Sequence, residues 1–192
     1  MMEQSNLPTQ RVNISTQKML GGIGYILMLL GWIPGIGILL SIVGFVLWLI
    51  SMYQLSNILR KPSIFQKVLI GFILSVADWA IALAFGLMAG ISSFATMGDE
   101  TGAILGLGLG VIVAIIVAYA IILVAFYFYK EAYDILAQAT AHNLFKIAGL
   151  LLFIGAITII LFGLGALLII VGNIVLVVAF FTAPNEVEVQ GA

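Results

Sequence analysis

Charged residues and cysteine are what this sequence has least of. Seven Lys and Arg and eight Asp and Glu occur among 192 residues, whereas 64% of the residues are hydrophobic. Such a composition is far from that of a water-soluble domain. Cysteine is absent, which excludes disulfides, thiolate metal sites and thiol catalysis. The net charge of −1 argues against nucleic acid as a partner, because phosphate binding needs clustered basic residues.

Residues suited to catalysis or metal binding are equally scarce. His142 is the single histidine, and it falls in a loop between predicted helices, where a loop or helix-capping role is the simplest interpretation. Glu131 and Asp134 flank Lys130 in a pattern typical of a solvated helix face. No His cluster for a metal can form within one chain. The sequence therefore predicts a protein that is not an enzyme, with no catalytic residue, no metal and no cofactor.

Long apolar runs without charge define the fold class. About 20 helical residues cross the hydrocarbon core of a bilayer, in which all backbone polar groups must be satisfied within the segment. Two runs are too long for one helix and are interrupted by Pro34-Gly35 and Gly163, which indicates hairpins. We therefore predict an all-α, polytopic integral membrane bundle with six transmembrane helices in residues 18–183, between polar tails at 1–17 and 184–192. The helices are predicted near 19–33, 36–55, 66–95, 102–138, 144–160 and 163–182.

The basic residues predict the orientation. With six spans, all seven Lys and Arg lie on the side of the two termini, while the opposite side carries Asp99 and Glu100. The positive-inside rule makes the basic side cytoplasmic. Tyr127, Tyr129 and Tyr133 are predicted to be interfacial aromatics where the fourth helix leaves the inner leaflet. We expect a prokaryotic plasma-membrane protein with both termini in the cytoplasm.

The two apolar hairpins resemble each other. Residues 35–44 and 163–172 agree at seven of ten positions without a gap, and each segment opens the second helix of its hairpin. A duplication would give a parallel repeat about an axis near the membrane normal. The alternative is a chance match between two apolar, low-complexity segments, and the sequence leaves both open.

Glycine spacing indicates where helices approach closely. Four-residue spacing occurs in both central helices, and small residues at this interval let helix backbones touch. We expect the outer half of the bundle to be tightly packed, with plain helix packing favoured over an outer gate. The predicted packing residues are Gly44, Gly86, Gly90, Gly102, Gly106, Gly110 and Gly172.

Asp78 is the sole ionisable residue within a predicted span. It lies 11 residues after Lys67, near the bilayer centre at about 1.5 Å of rise per residue, and exposure to lipid there is costly. Tyr119 and Asn173 lie at the same depth on other helices, and Ser75 is on the same helix. We predict a midplane polar cluster of Asp78, Tyr119, Asn173 and Ser75, with Asp78 within hydrogen-bonding reach of Tyr119 or Asn173. Two interpretations stay open for Asp78: an ion or proton path, or a neutral carboxyl that hydrogen-bonds a neighbouring helix.

Three apolar segments carry a family resemblance. These are Leu20-Gly-Gly-Ile-Gly, residues 63–71 entering the third helix, and residues 144–156 entering the fifth. Together they resemble an uncharacterised archaeal and bacterial membrane family, domain-of-unknown-function family 996. The resemblance covers nearly all of residues 20–183. It implies a multi-pass membrane protein and brings no activity, substrate or catalytic residue.

Two functions are compatible with this pattern. Scarce polarity within the spans and abundant small residues favour a non-enzymatic structural or accessory subunit of a membrane complex, or a self-associating scaffold. Its partners would be the lipid bilayer and other copies or membrane subunits. The alternative is a small transporter or channel for an ion, proton or small solute organised around Asp78.

Overall fold

Six helices and two short strands make up the described chain. The computed structural model describes residues 9–95, 100–160 and 163–190, and it describes side-chain surroundings for residues 10–87, 112–160 and 163–189. In chain order the elements are β1 (Thr9–Asn13), α1 (Ser15–Leu29), α2 (Gly37–Ile58), α3 (Pro62–Ala95), α4 (Glu100–Thr140), α5 (Leu144–Thr158), α6 (Leu164–Thr182) and β2 (Glu186–Gln190).

The helical fold class is confirmed. Four helices are long and apolar enough to cross a membrane within the described residues: α2, α6, Pro62–Leu87 of α3 and Ile112–Thr140 of α4. Helix α1 has 15 residues and is followed by a 3₁₀ turn, Leu30–Trp32, while α5 has 15 residues. The predicted outer loop at Asp99 lies outside the described residues.

The polar tails pair with each other, which the sequence analysis did not predict. Strands β1 and β2 form an antiparallel two-stranded sheet in which Thr9 faces Gln190 and Asn13 faces Glu186. The buried Val187 and Val189 belong to the main hydrophobic core. Alternating valines therefore give the sheet an apolar face, and the pairing brings both tails to one end of the bundle.

The α2–α3 and α4–α5 loops, at the sheet end of the bundle, end the preceding helices with the same backbone conformation. Arg60 and Ala141 both have positive φ, at 54° and 51°. After each helix a backbone N–H turns back to a carbonyl of the last turn, Lys61 to Ser56 at 2.9 Å and His142 to Ala137 at 3.0 Å. These bonds satisfy carbonyls that a helix end leaves free. The helices consequently stop where the chain becomes polar.

The hydrophobic core lies at the end of the bundle that carries the sheet. Fully buried side chains include Met52 and Leu55 of α2, Leu136 of α4 and Phe180 of α6. By contrast, every residue of 82–87 in α3 is exposed. Among the described residues, tight packing of large side chains is therefore concentrated at the sheet end and not in the outer half, where we expected it.

Glycines hold each outer hairpin together by direct backbone contact. A Cβ at Gly24 would lie 2.6 Å from the carbonyl oxygen of Gly44, and one at Gly165 would lie 2.5 Å from that of Gly155. A Cβ at Gly172 would meet Leu152 at 3.1 Å. Helices α1 and α2, and likewise α5 and α6, therefore approach as closely as glycine allows.

Gly86 behaves differently from the other predicted packing residues. A Cβ at this position would meet no atom of the described residues within 4 Å. The expectation that Gly86 packs against another helix of the same chain is thus corrected, because Gly86 lies beside an open groove between α3 and α4. The side-chain surroundings of Gly90, Gly102, Gly106 and Gly110 lie outside the described residues.

Candidate functional site

The Asp78 carboxyl has one buried oxygen without a partner. Atom Oδ1 is shielded from solvent and accepts no hydrogen bond among the described residues. The residue as a whole is half-buried in the middle of α3. An unsatisfied polar atom within an apolar helix is costly and often marks function.

The predicted cluster around Asp78 does not form as a hydrogen-bonded unit. Tyr119 donates its hydroxyl proton to the carbonyl oxygen of Ile157 on α5 at 2.6 Å. Asn173 Oδ1 accepts from the hydroxyl of Tyr25 on α1 at 2.9 Å. The predicted pairing with Asp78 is therefore corrected, since residues at one depth on different helices can face different neighbours.

Ser75 also satisfies its hydroxyl locally. It donates to the carbonyl oxygen of Gly71 one turn earlier on α3, at 2.9 Å. This is the ordinary back-bond of a serine within a helix. Asn173, one of the four predicted cluster residues, lines a cavity within the bundle.

That cavity is an aromatic one between α1, α2, α4, α5 and α6. It has a volume of about 210 Å³, and the residues around it carry no charge. Asn173 and the Tyr25 hydroxyl that it binds are both on its wall. The aromatic lining consists of Tyr25, Phe45, Trp48, Phe126, Tyr129 and Tyr133.

Trp48 lies at the centre of the aromatic lining. Its ring centroid is 5.7 Å from that of Phe45, 6.1 Å from that of Tyr129 and 6.3 Å from that of Tyr25. Edge-to-face and tilted contacts of this kind stabilise aromatic clusters beyond their buried area. The cavity wall is therefore held by mutual ring packing.

Two of the three tyrosines predicted at the interface belong to this interior. Tyr133 is buried, with 2% of its surface exposed, and Tyr129 is half-buried beside Trp48. Tyr127 alone is exposed. The interfacial interpretation of Tyr129 and Tyr133 is wrong, because the faces of α4 that carry them turn towards the other helices.

A second, apolar groove runs between the outer parts of α3 and α4. Its volume is about 300 Å³. Small residues form much of its wall, namely Ala82, Gly86, Ala114 and Ala118, together with Ile81, Phe85 and Ile115. The open space beside Gly86 belongs to this groove.

Charged residues at the sheet end form ion pairs, one between α3 and α4 and one within α4. Lys67 Nζ lies 3.2 Å from a Glu131 oxygen, and Lys130 Nζ lies 2.7 Å from an Asp134 oxygen. Partly exposed pairs such as these contribute little to stability. No group of three or more His, Cys, Asp or Glu suited to a metal occurs among the described residues.

His142 contacts the end of α6 across the sheet end of the bundle. Its Nε2 lies 3.0 Å from the Thr182 hydroxyl, and Lys18 donates from Nζ to the carbonyl oxygen of the adjacent Ala183. Burial lowers the pKa of His142, and the positive charge of Lys18 lowers this pKa further. The His142–Thr182 contact therefore links the loop between α4 and α5 to the end of α6.

Two comparisons with known proteins give matches. A family model described as "Protein of unknown function (DUF996)" matches residues 40–174. The chain is also 31% identical over 182 residues to the uncharacterized protein MJ1644 of Methanocaldococcus jannaschii. That alignment covers 93% of this chain and 97% of the relative. No solved structure matches the chain.

Proposed function

This chain belongs to the DUF996 family of proteins of unknown function, and we propose that it is a non-enzymatic integral membrane protein that acts through helix association. It would serve as a structural or accessory subunit of a membrane complex, or as a self-associating scaffold. The observation that carries this proposal is the unfilled small-residue groove beside Gly86.

Six transmembrane passes are the topology that best fits the close hairpins. Helices α2 and α6 are long enough to span a bilayer. The glycine contacts between Gly24 and Gly44 and between Gly155 and Gly165 hold α1 and α5 against them. A helix in continuous backbone contact with a spanning helix shares its depth, so α1 and α5 would cross as well.

The sheet and the positive-inside rule support cytoplasmic termini. Pairing of β1 with β2 keeps both tails at one end. Arg60 and Lys61 border the same cavity as Glu188 of β2, which groups the α2–α3 loop with that end. Because this end carries the basic residues, it would face the cytoplasm of a prokaryotic plasma membrane.

Corresponding positions in the two hairpins support a parallel repeat. Gly35 and Gly163 open the matching segments, and both have positive φ, at 88° and 83°. Nine residues after these two glycines, Gly44 approaches the backbone nitrogen of Met28 and Gly172 approaches that of Leu152. We propose that these hairpins derive from one ancestral unit.

We expect helix association to use the groove because Gly86, which lies on its wall, makes no close contact with another helix within the described part of the chain. Small residues at four-residue spacing allow helices to approach closely in membranes, where packing rather than hydrophobicity drives association. Ala82 and Gly86 have this spacing on α3, and Ala114 and Ala118 have it on α4. A transmembrane helix from a second copy or another subunit would fit against these four residues.

Native purification in mild detergent followed by mass spectrometry tests the proposal. We expect the wild-type protein to be recovered as an oligomer or with a membrane partner. Gly86→Leu should be recovered as a folded monomer, because the added side chain fills open space in its own chain but blocks the groove. Ala80→Leu, at an exposed position outside the groove, is the matched control and should keep the association. A wild-type monomer without a partner would contradict the proposal.

Asp78 supports a second candidate, a small transporter or channel. Its buried, unpartnered Oδ1 is the kind of group that takes part in ion or proton paths. Flux of protons or monovalent ions into proteoliposomes, measured for wild type and Asp78→Asn, tests this candidate. Flux that depends on the carboxylate would support it, while equal flux, or none, in both proteins would contradict it.

A further inference from the structure

The aromatic cavity contains a hydrogen-bond donor that has no acceptor. Trp48 is 4% exposed, and its indole Nε1 is buried without a hydrogen-bond partner among the described residues. The Tyr133 hydroxyl lies near enough to interact electrostatically with this indole, but the two groups are outside hydrogen-bonding geometry. Indole nitrogen can only donate, and an unmade buried bond is unfavourable. The Trp48 N–H therefore has no acceptor in hydrogen-bonding geometry among the described residues.

Other polar groups on the wall add donors to the same region. Asn173 Oδ1 already accepts from the Tyr25 hydroxyl, and the two amide N–H groups of Asn173 are further donors on this wall. Around this polar region the wall consists of aromatic rings and the apolar side chains of Met28, Leu152 and Ile169. A pocket of this composition suits a flat apolar molecule that carries an acceptor at one edge.

Charge on the ligand is disfavoured by the lining. The residues around the cavity include no Lys or Arg to pair with an anion and no Asp or Glu to pair with a cation. An organic cation could face the aromatic rings, but it would leave the Trp48 donor unsatisfied. An uncharged ligand with a hydrogen-bond acceptor suits both the apolar wall and the Trp48 N–H.

The volume sets the size of the ligand. A cavity of about 150 Å³ lined by apolar residues holds benzene, and this one has about 210 Å³. We propose that the aromatic cavity is a binding site for a small, uncharged carbonyl compound with a single ring, whose oxygen accepts the hydrogen bond from Trp48 Nε1. Such a molecule dissolves in lipid and would reach the cavity between the helices.

Indole N–H resonances test this site in the wild-type protein. The chain has three tryptophans. Trp32 and Trp79 are 92% and 70% exposed and therefore report contact with detergent. The protein, labelled with ¹⁵N and held in micelles, is titrated with acetophenone and separately with ethylbenzene, which has the same ring but no carbonyl. Trp→Phe variants assign the three signals.

The expected result is specific to one signal and one probe. Acetophenone should move the Trp48 proton downfield and saturate, while Trp32 and Trp79 shift slightly and without saturation. Ethylbenzene should bind about tenfold more weakly, as expected for one lost hydrogen bond, and should give no downfield shift. A Trp48 signal that does not move, that changes in step with the other two, or that responds equally to both probes would overturn the proposal.

Trp48→Phe gives an independent measurement with a matched control. It keeps an aromatic wall and removes the donor, whereas Trp79→Phe makes the same change at an exposed position. Acetophenone affinity, measured by competition with a fluorinated analogue, should fall about tenfold for Trp48→Phe and stay unchanged for Trp79→Phe. An equal affinity in both variants would contradict the role of the indole.

Discussion

Adding one methyl group at Gly24 or at Gly86 should have opposite effects on stability. At Gly24 the new Cβ would lie 2.6 Å from the Gly44 carbonyl oxygen and 2.7 Å from the Trp48 nitrogen. Both are backbone atoms and cannot rotate away. Since ordinary contacts begin at 3.4 Å, α1 and α2 would have to separate by about 0.8 Å. At Gly86 the same methyl meets open space.

The magnitudes follow from overpacking and helix propensity. Forcing a methyl group into a filled site costs about 1–3 kcal/mol, and replacing glycine by alanine within a helix returns up to about 1 kcal/mol. Because only backbone can move at Gly24, we expect Gly24→Ala to lower the free energy of unfolding by about 2 kcal/mol. Gly86→Ala should raise the free energy of unfolding by up to about 1 kcal/mol.

Unfolding by sodium dodecyl sulfate in mixed micelles, followed by circular dichroism, measures both variants against wild type. Both variants replace a helical glycine by alanine, so the gain from helix propensity is the same in each. The difference between their free energies of unfolding therefore measures the cost of the close contact at Gly24. Equal stability of the two variants would refute the close approach of α1 and α2. Loss of stability in Gly86→Ala would show that the face beside Gly86 is filled.

Three further predictions concern topology, Asp78 and His142. Single cysteines at Asn13 and Glu188 should resist an impermeant maleimide on intact cells, whereas one at Asp99 should react; labelling at 188 but not 99 would reverse the orientation. Asp78→Leu should raise the free energy of unfolding by about 1 kcal/mol, because it removes an unpaired buried oxygen, and a large loss would reveal a partner. The lowered pKa of His142 favours the neutral ring in the folded state, so its contribution to stability is present above pH 6.5 and is lost as the pH falls through the lowered pKa. The pH dependence of unfolding should therefore weaken in His142→Asn, and an unchanged dependence would contradict this.

Helix positions could be predicted from sequence because the membrane limits the choices. A charge-free run of sufficient length must form a helix, and Pro34-Gly35 and Gly163 interrupt the two runs that are too long. The fifth predicted helix, 144–160, corresponds to Leu144–Thr158 and the sixth, 163–182, to Leu164–Thr182. Helix ends that were predicted from the position of the nearest charged residue were less accurate. Helix α3, for example, begins at Pro62 and not near residue 66.

The strands could have been found from the same sequence. Residues 186–190 read Glu-Val-Glu-Val-Gln, which alternates polar and apolar residues as a half-buried strand does. Its partner, 9–13, has a single valine and gives a weaker signal. The polar character of both tails obscured this periodicity.

Contacts between helices could not be predicted, because depth leaves helix rotation undetermined. Asp78, Tyr119 and Asn173 lie at equal distances from the charged boundary, yet Tyr119 faces α5 and Asn173 faces α1. The aromatic cavity was missed for the same reason, since Tyr25 and Trp48 come from separate helices. A polar-tipped aromatic residue inside a span was the available signal, and it indicates an interior partner rather than a lipid-facing position.

A photo-crosslinker at position 86 tests most directly the claim that this protein acts through helix association. Benzoylphenylalanine is placed at Gly86, or at Ala80 as the control, in cells that express the protein, and the membranes are irradiated before solubilisation. The account predicts that position 86 crosslinks to a second copy or to one membrane protein identified by mass spectrometry, while position 80 crosslinks to lipid. Crosslinking of position 86 to lipid alone would contradict it.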